Sequence, residues 1–186
     1  LASRENNFSK IGSSIINIYS RSPSLIAMGA ATADTISNGR LILGLGTSSQ
    51  PIVENFHGYE FEKPVKRMEE YVEIIRLIFS GKTINYSGDI FSLKDFSLLI
   101  KPPRNEIPIY LAAVNQKMVE LAWKIADGVI FYLRPKNDIK SLLSKMQNQR
   151  KIDASIQIIT SVNDDSEKAT IRAKKTLAFY ISVGKI

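Results

Sequence analysis

The 186-residue chain has no cysteine, one histidine (His57) and one tryptophan (Trp123). Without thiols there is no disulfide, no thiolate metal site and no cysteine nucleophile. A single histidine makes a His-based metal centre or a Ser-His-Asp triad hard to build. No apolar run is much longer than a strand, so no segment is long enough to span a bilayer. No signal-peptide pattern opens the chain, and cytoplasm is the default setting. Acidic residues are the scarcer charge: 18 Asp and Glu against 25 Lys and Arg leave a net charge of +7. That excess is dispersed, with Lys174-Lys175 its densest pair, and a dispersed excess makes no nucleic-acid patch. A solvated basic surface, or a mild attraction for an anionic cofactor, fits better. What is present is ordinary for a globular fold: 44% hydrophobic and 23% charged residues, enough to bury roughly 70% of the unfolded surface.

The pattern is a repeat of strands and helices. Residues 11–19 are β-branched and aromatic, a buried strand with two small serines near its start. Ser22-Pro23 supplies an N-cap and a first-turn proline. Leu25, Met28, Thr32 and Ile36 follow at helical steps as the expected apolar face, and Asn38-Gly39 closes the helix. Residues 40–45 form a strand without polar alternation, as in a parallel sheet covered by helices. Residues 50–63 read as a long irregular loop. A helix over 64–79 presents Val65, Met68, Val72, Ile75 and Phe79. Its Glu69, Glu70 and Glu73, beside Lys66, Arg67 and Arg76, read as i,i+3 and i,i+4 pairs on a solvated face. Ser87-Gly88-Asp89 suggests a hairpin turn in residues 83–99, outside the repeat. Three more strands (108–113, 129–133, 155–162) are each followed by a helix, over 115–126, 137–149 and 166–183, the last capped by Ser166. Trp123 reads as a core residue. Five βα units in succession demand parallel pairing with right-handed crossovers. No linker divides the chain, and residues 1–186 read as one domain. The first residues look like the tail of a helix and the last stop inside an apolar helical pattern, so the chain is expected to be a segment of a longer protein.

Two stretches attract chemistry. Gly44 and Gly46 end a parallel strand, the edge at which ligands of α/β folds bind. The G-x-G-x-x-G dinucleotide pattern fails there: Ser49 replaces the third glycine, a loop with Pro51 is expected next, and no acidic residue sits at a following strand end. The alternative is that these glycines only relieve crowding. The second stretch is Ala112, Ala113, Val114, Asn115, Gln116 and Lys117. A helix beginning near Asn115 has free N–H groups, and Lys117 in its first turn opposes the helix dipole unless an anion is bound. His57 reads as a surface residue.

Taken together, IGSSI (11–15), RSPSLIA (21–27), NGRLILGLGTS (38–48), FEKPVKRMEEYVEIIR (61–76), YSGDIF (86–91), IPIYLAA (107–113) and KMVELAWKIADGVI (117–130) resemble, in order, the luciferase-like monooxygenase family. That family includes bacterial luciferase, flavin monooxygenases and deazaflavin-dependent reductases. The resemblance implies a TIM-like (β/α)8 barrel, here an incomplete segment of about five βα units, with two units missing before it and one after. It implies FMN or an 8-hydroxy-5-deazaflavin coenzyme (F420) at the C-terminal strand ends. Ser14 and Ile15 match a strand bulge, often with a cis peptide, that backs the ring. Gly46, Thr47 and Ser48 match the loop bordering it, and Ala112 to Lys117 the phosphate-side loop. Ser49 stands where sugar-phosphate dehydrogenases of the family carry an acid, and Asn115-Gln116 where many relatives have Gly-Pro, so no catalytic residue is assigned. The expected function is hydride transfer between the cofactor and a small organic substrate, with monooxygenation if the cofactor is reduced FMN. A non-catalytic flavin-binding or truncated inactive member is the alternative, and a homodimer is expected by family analogy.

Overall fold

The structure is a computed structural model describing residues 9–100 and 104–183. The expected helix tail at the start of the chain and its last three residues lie outside them. Strands β1 (Ile11–Gly12), β2 (Ile16–Asn17), β3 (Leu41–Gly46), β6 (Ile109–Ala112), β7 (Gly128–Tyr132) and β8 (Asp153–Gln157) form one parallel sheet in the order β1-β3-β6-β7-β8, with β2 also on β3. Every crossover carries a helix: α1 (Pro23–Ile36), α2 (Gln50–His57) and α3 (Pro64–Phe79), α4 (Gln116–Ile125), and α5 (Lys136–Met146), with α6 (Ser166–Val183) last. β4 (Ile84–Ser87) and β5 (Ser92–Phe96) are the expected hairpin, a separate antiparallel pair. The sheet curls into a half-barrel, part of a TIM-like barrel. Among the described residues, no helix is long and apolar enough to cross a membrane.

Strand period two sorts the residues of β3. Leu41, Leu43 and Leu45 are buried under the helices. Ile42, Gly44 and Gly46 face the other way, as do Tyr110 on β6 and Ile130 on β7. Around this concave face lies a hollow of about 330 Å³ lined by Gly12, Ser14, Ile42, Tyr110, Ser155 and Gln157, among others. The Ser14 hydroxyl donates across it to Gln157 Oε1 at 3.3 Å, joining the first and last strands. The Tyr110 hydroxyl donates to the Asp153 carboxylate, and its pKa is raised by burial first and by that carboxylate second. Gly128 makes room for this ring: a Cβ there would stand 2.7 Å from it.

Five expectations are corrected. The buried face of α1 is Ile26, Ala27, Ala30, Ala31 and Asp34, while Leu25, Met28, Thr32 and Ile36 are exposed. Both sets recur at helical spacing. The alanine face wins because small side chains let the helix lie close to its neighbours. Residues 50–63 are not all loop: α2 occupies Gln50–His57, started by Pro51 in its first turn and closed by Gly58 at φ 68°. A helix therefore does follow Gly46, and the dinucleotide pattern fails on Ser49 and on the missing acid alone. Strand β8 begins and ends earlier than expected, at Asp153 and Gln157. Helix α6 is capped by Asp165, whose carboxylate accepts from the N–H groups of Glu167 (3.0 Å) and Lys168 (3.2 Å), not by Ser166.

Glu70 is the fifth. It is not solvated but fully buried, accepting the backbone N–H groups of Asp89 (2.9 Å), Ile90 and Phe91 (both 3.1 Å). The hairpin folds back over α3 and encloses a carboxylate whose helical spacing matched its exposed neighbours. Glu69 does pair at the surface, with Lys124 at 2.9 Å. A second buried acid, Asp34, binds Arg104 through two bonds of 2.8 and 3.1 Å and accepts from the Leu41 N–H at 3.1 Å. It fastens the segment before β6 to the entrance of β3. Trp123 is buried as expected, donating from Nε1 to the Arg150 carbonyl at 3.1 Å.

Candidate functional site

The expected strand over residues 11–19 is broken. Gly12 lies opposite Ile42 and Ile16 opposite Leu45, so three residues (Ser13, Ser14, Ile15) span a stretch where β3 supplies two (Leu43, Gly44). One extra residue on one strand defines a β-bulge, a device that re-aims side chains beside ligand sites. The Ser14-Ile15 peptide is cis. The ladder holds on either side, with Ser13 N–H on the Ile42 carbonyl at 3.3 Å and Ile18 N–H on the Gly46 carbonyl at 3.0 Å.

This bulge explains both glycines. A Cβ on Gly44 would overlap the Ser13 carbonyl. A Cβ on Gly46 would lie 2.7 Å from the Ile15 side chain and 3.3 Å from Ala112 Cβ. Gly46 is thus the point where three of the expected site segments meet, and the glycines make room for the bulge. Past Gly46, Thr47 and Ser48 are half-buried and Ser48 has a φ of 60°, which turns the chain into α2.

The stretch from Ala112 to Lys117 is built as its composition predicts. Ala113 donates its N–H to the Ile130 carbonyl at 3.1 Å, continuing the ladder one step past β6. Val114 is exposed. Asn115 is the N-cap of α4, its side-chain oxygen accepting the Met118 N–H at 2.9 Å. Gln116 turns to Glu120 at 2.9 Å. Exposed Lys117 lines a surface cleft of about 670 Å³ together with Asn115, Gln116, Lys63, Pro64, Val65 and Lys66. The first turns of α3 and α4 therefore open on the same cleft. Their partial positive ends and three lysines favour an anion there.

Buried polar atoms without a partner mark the same edge. Among the described residues these are Asn17 Nδ2, Ser49 Oγ, Arg67 Nε, Arg134 Nη1 and Ser161 Oγ. Asn17 ends β2, and Ser49, Arg134 and Ser161 follow β3, β7 and β8 by two to four residues, while Arg67 lies in the first turn of α3. All five belong to the C-terminal edge of the parallel sheet, and unpaired buried polar groups call for a ligand or water. The Arg67 guanidinium lies over the rings of Tyr19 (4.6 Å) and Phe91 (5.2 Å). Sequence reasoning did not single these five out as ligand groups; position just past an expected strand end was a usable signal for Ser49 and Arg134, while Asn17 and Ser161 fell inside the strands expected over 11–19 and 155–162. His57 is exposed at the last turn of α2 and takes no part. Among the described residues no group of acidic or histidine side chains could hold a metal ion.

Comparisons with known proteins place the fold. A 5,10-methylenetetrahydromethanopterin reductase of Archaeoglobus fulgidus is 36% identical over 181 residues, covering 93% of this chain and 54% of the relative. The solved coenzyme F420 dependent tetrahydromethanopterin reductase of Methanopyrus kandleri superposes with a TM-score of 0.80 at 26% identity, over 92% of this chain and 56% of that one. The monooxygenase RslO1 of Streptomyces bottropensis shares the fold, with a TM-score of 0.83 at 19% identity over 97% and 61% of the two chains. The chain thus spans about half the length of the relatives it matches. A family model for luciferase-like monooxygenases matches residues 9–185, and the chain belongs to that family.

Proposed function

We propose that this chain is the central part of an oxidoreductase that uses a deazaflavin coenzyme of the F420 type to exchange hydride with a small organic substrate. The observation that carries the reading is the gathering of the unpartnered buried side-chain N and O atoms, among the described residues, along the C-terminal sheet edge that also carries Ile15, Gly46 and Ala112. The solved F420-dependent reductase among its relatives favours the deazaflavin over FMN. Bound there, the coenzyme would supply the hydride chemistry, while the protein holds and orients it.

The residues divide that work. Ser14 and Ile15 present a backbone surface to one face of the ring, and Gly46 to Ser48 border it. Asn115, Gln116 and Lys117 hold the phosphate in the cleft between α3 and α4, where Lys63 and Lys66 add charge. Asn17, Ser49 and Arg134 offer polar atoms to the remaining oxygens of coenzyme or substrate. The reading includes a homodimer, supported by family likeness.

Titrating the full-length protein with the deazaflavin coenzyme and with FMN tests it. Binding of the deazaflavin should perturb its visible spectrum, and Lys117→Ala should weaken binding about tenfold or less, an exposed phosphate contact being worth about 1 kcal/mol. Binding of FMN alone would overturn the choice of coenzyme. No perturbation of either spectrum would overturn the reading.

A further inference from the structure

The bulge at Ser14-Ile15 needs something to hold it, because the extra residue interrupts the ladder that fixes a strand in a parallel sheet. The ladder bonds of Gly44, which lies opposite the break, are the ones displaced. Both of its backbone groups are nonetheless satisfied by one side chain: Ser13 Oγ accepts from Gly44 N–H at 3.0 Å and donates to the Gly44 carbonyl at 3.0 Å. A hydroxyl has the one donor and two acceptor sites this requires. The residue opposite must be glycine, since a Cβ would overlap the Ser13 carbonyl.

From this geometry we infer that Ser13 is a positioning residue for the cofactor. Its hydroxyl stands in for the missing main-chain ladder and fixes where Ser14 and Ile15 stand against the ring. The inference rests on the proposed placement of the coenzyme at the bulge. Ser13 itself need not touch the coenzyme; it acts through the next two residues. Gln157 steadies the bulge from the far side through Ser14. Alanine at position 13 would leave the Gly44 N–H and C=O without partners beside the ring, in a site where small displacements are costly. Neither the comparisons nor the chemistry of flavins requires a serine here; the two hydrogen bonds do.

The test compares the full-length wild type with Ser13→Ala, Ser13→Thr and, as a control, Ser37→Ala. Ser37 also bridges backbone groups, donating to the Asp34 carbonyl at 3.1 Å and accepting from Arg40 N–H at 3.3 Å, but in the turn between α1 and β3. Coenzyme dissociation constants and the visible circular dichroism induced in the bound ring are measured for each. Ser13→Ala is expected to raise the dissociation constant about tenfold, equivalent to 1.4 kcal/mol, and to change the induced spectrum. Ser13→Thr, which keeps the hydroxyl, is expected to restore both. Ser37→Ala is expected to lower the melting temperature and leave both unchanged. Wild-type affinity and spectrum in Ser13→Ala would overturn the inference, as would an equal loss in Ser37→Ala. Should Ser13→Ala not fold, Ser13→Cys decides: an intermediate loss supports the inference and unchanged binding overturns it. A wild type that binds neither coenzyme overturns the placement of the cofactor and the inference with it, which separates the two failures.

Discussion

Replacing Glu70 by Gln removes one charge and almost no volume from a fully enclosed position. The carboxylate accepts Asp89 N–H on Oε1 and the N–H groups of Ile90 and Phe91 on Oε2, with Lys66 Nζ 3.7 Å away. A glutamine keeps a single carbonyl oxygen, which can serve the two amides that share Oε2. Its NH2 group then faces the Asp89 N–H, donor against donor. Hydrogen bonds to a charged acceptor contribute about 1.5–3 kcal/mol each, and a buried donor without a partner costs about 1–3 kcal/mol. Relief of the buried charge offsets part of this, so the expected net loss is about 2 kcal/mol. For a chain of this size that lowers the melting temperature by roughly 4–8 °C. Hydrogen exchange should localise the loss to the amides of residues 89–91. The pH dependence has a definite sign. Burial acts first on Glu70, to raise its pKa, but the three amides and Lys66 together hold it below the ordinary carboxylate value. Its contribution to stability is therefore complete above the unfolded pKa of about 4.3 and disappears as the pH falls through the lowered native value. The gap between wild type and variant should close in acid. A melting temperature within about 1 °C of wild type at pH 7, with unchanged protection of those amides, would refute the reasoning.

Other expectations follow from single contacts. Arg104→Ala strands the buried Asp34 carboxylate and should cost roughly 3–5 kcal/mol by urea denaturation, whereas Arg104→Met with Asp34→Leu should cost much less. Gly88→Ala would drive a methyl group into the Glu70 carboxyl; in a double-mutant cycle its cost should fall when Glu70 is already Ala, which removes the group it strikes. Asn115→Ala should lose about 1 kcal/mol of capping of α4 and weaken coenzyme binding as well, read by melting with and without coenzyme. Trp123 is the sole tryptophan and is buried, so native emission should be blue-shifted and move to the red on unfolding; emission of a solvated indole in the native protein would contradict the packing.

The sequence alone determined the repeat. Its strands are short apolar runs bounded by Gly, Asn and Asp, its helices carry caps such as Ser22, Asn115 and the prolines at 23 and 64, and those local signals specify five βα units and one hairpin. Parallel order follows from the alternation itself, because each helix must carry the chain back before the next strand begins. The same local chemistry placed the start of α4 at Asn115, and the motif series pointed to the family. What it could not decide was anything set by contacts between distant residues. The face of α1 was misread because two stripes share one periodicity and only the packing partner chooses between them. Glu70 looks like a surface acid until the hairpin closes over it, and nothing local to Asp34 announces its pairing with Arg104, 70 residues away. Residues 50–57 form α2 from signals too short to stand out without a neighbour for Val53, its one buried residue. Above all, the sequence left Gly44 and Gly46 open between bordering a ligand and relieving crowding, and the tertiary structure makes them the floor on which the Ser13–Ile15 bulge rests. A register shift of one residue between two strands 30 positions apart leaves no trace in either strand's own composition; the resemblance pointed to a bulge at Ser14 and Ile15, but only the folded sheet could show its register and what it rests on.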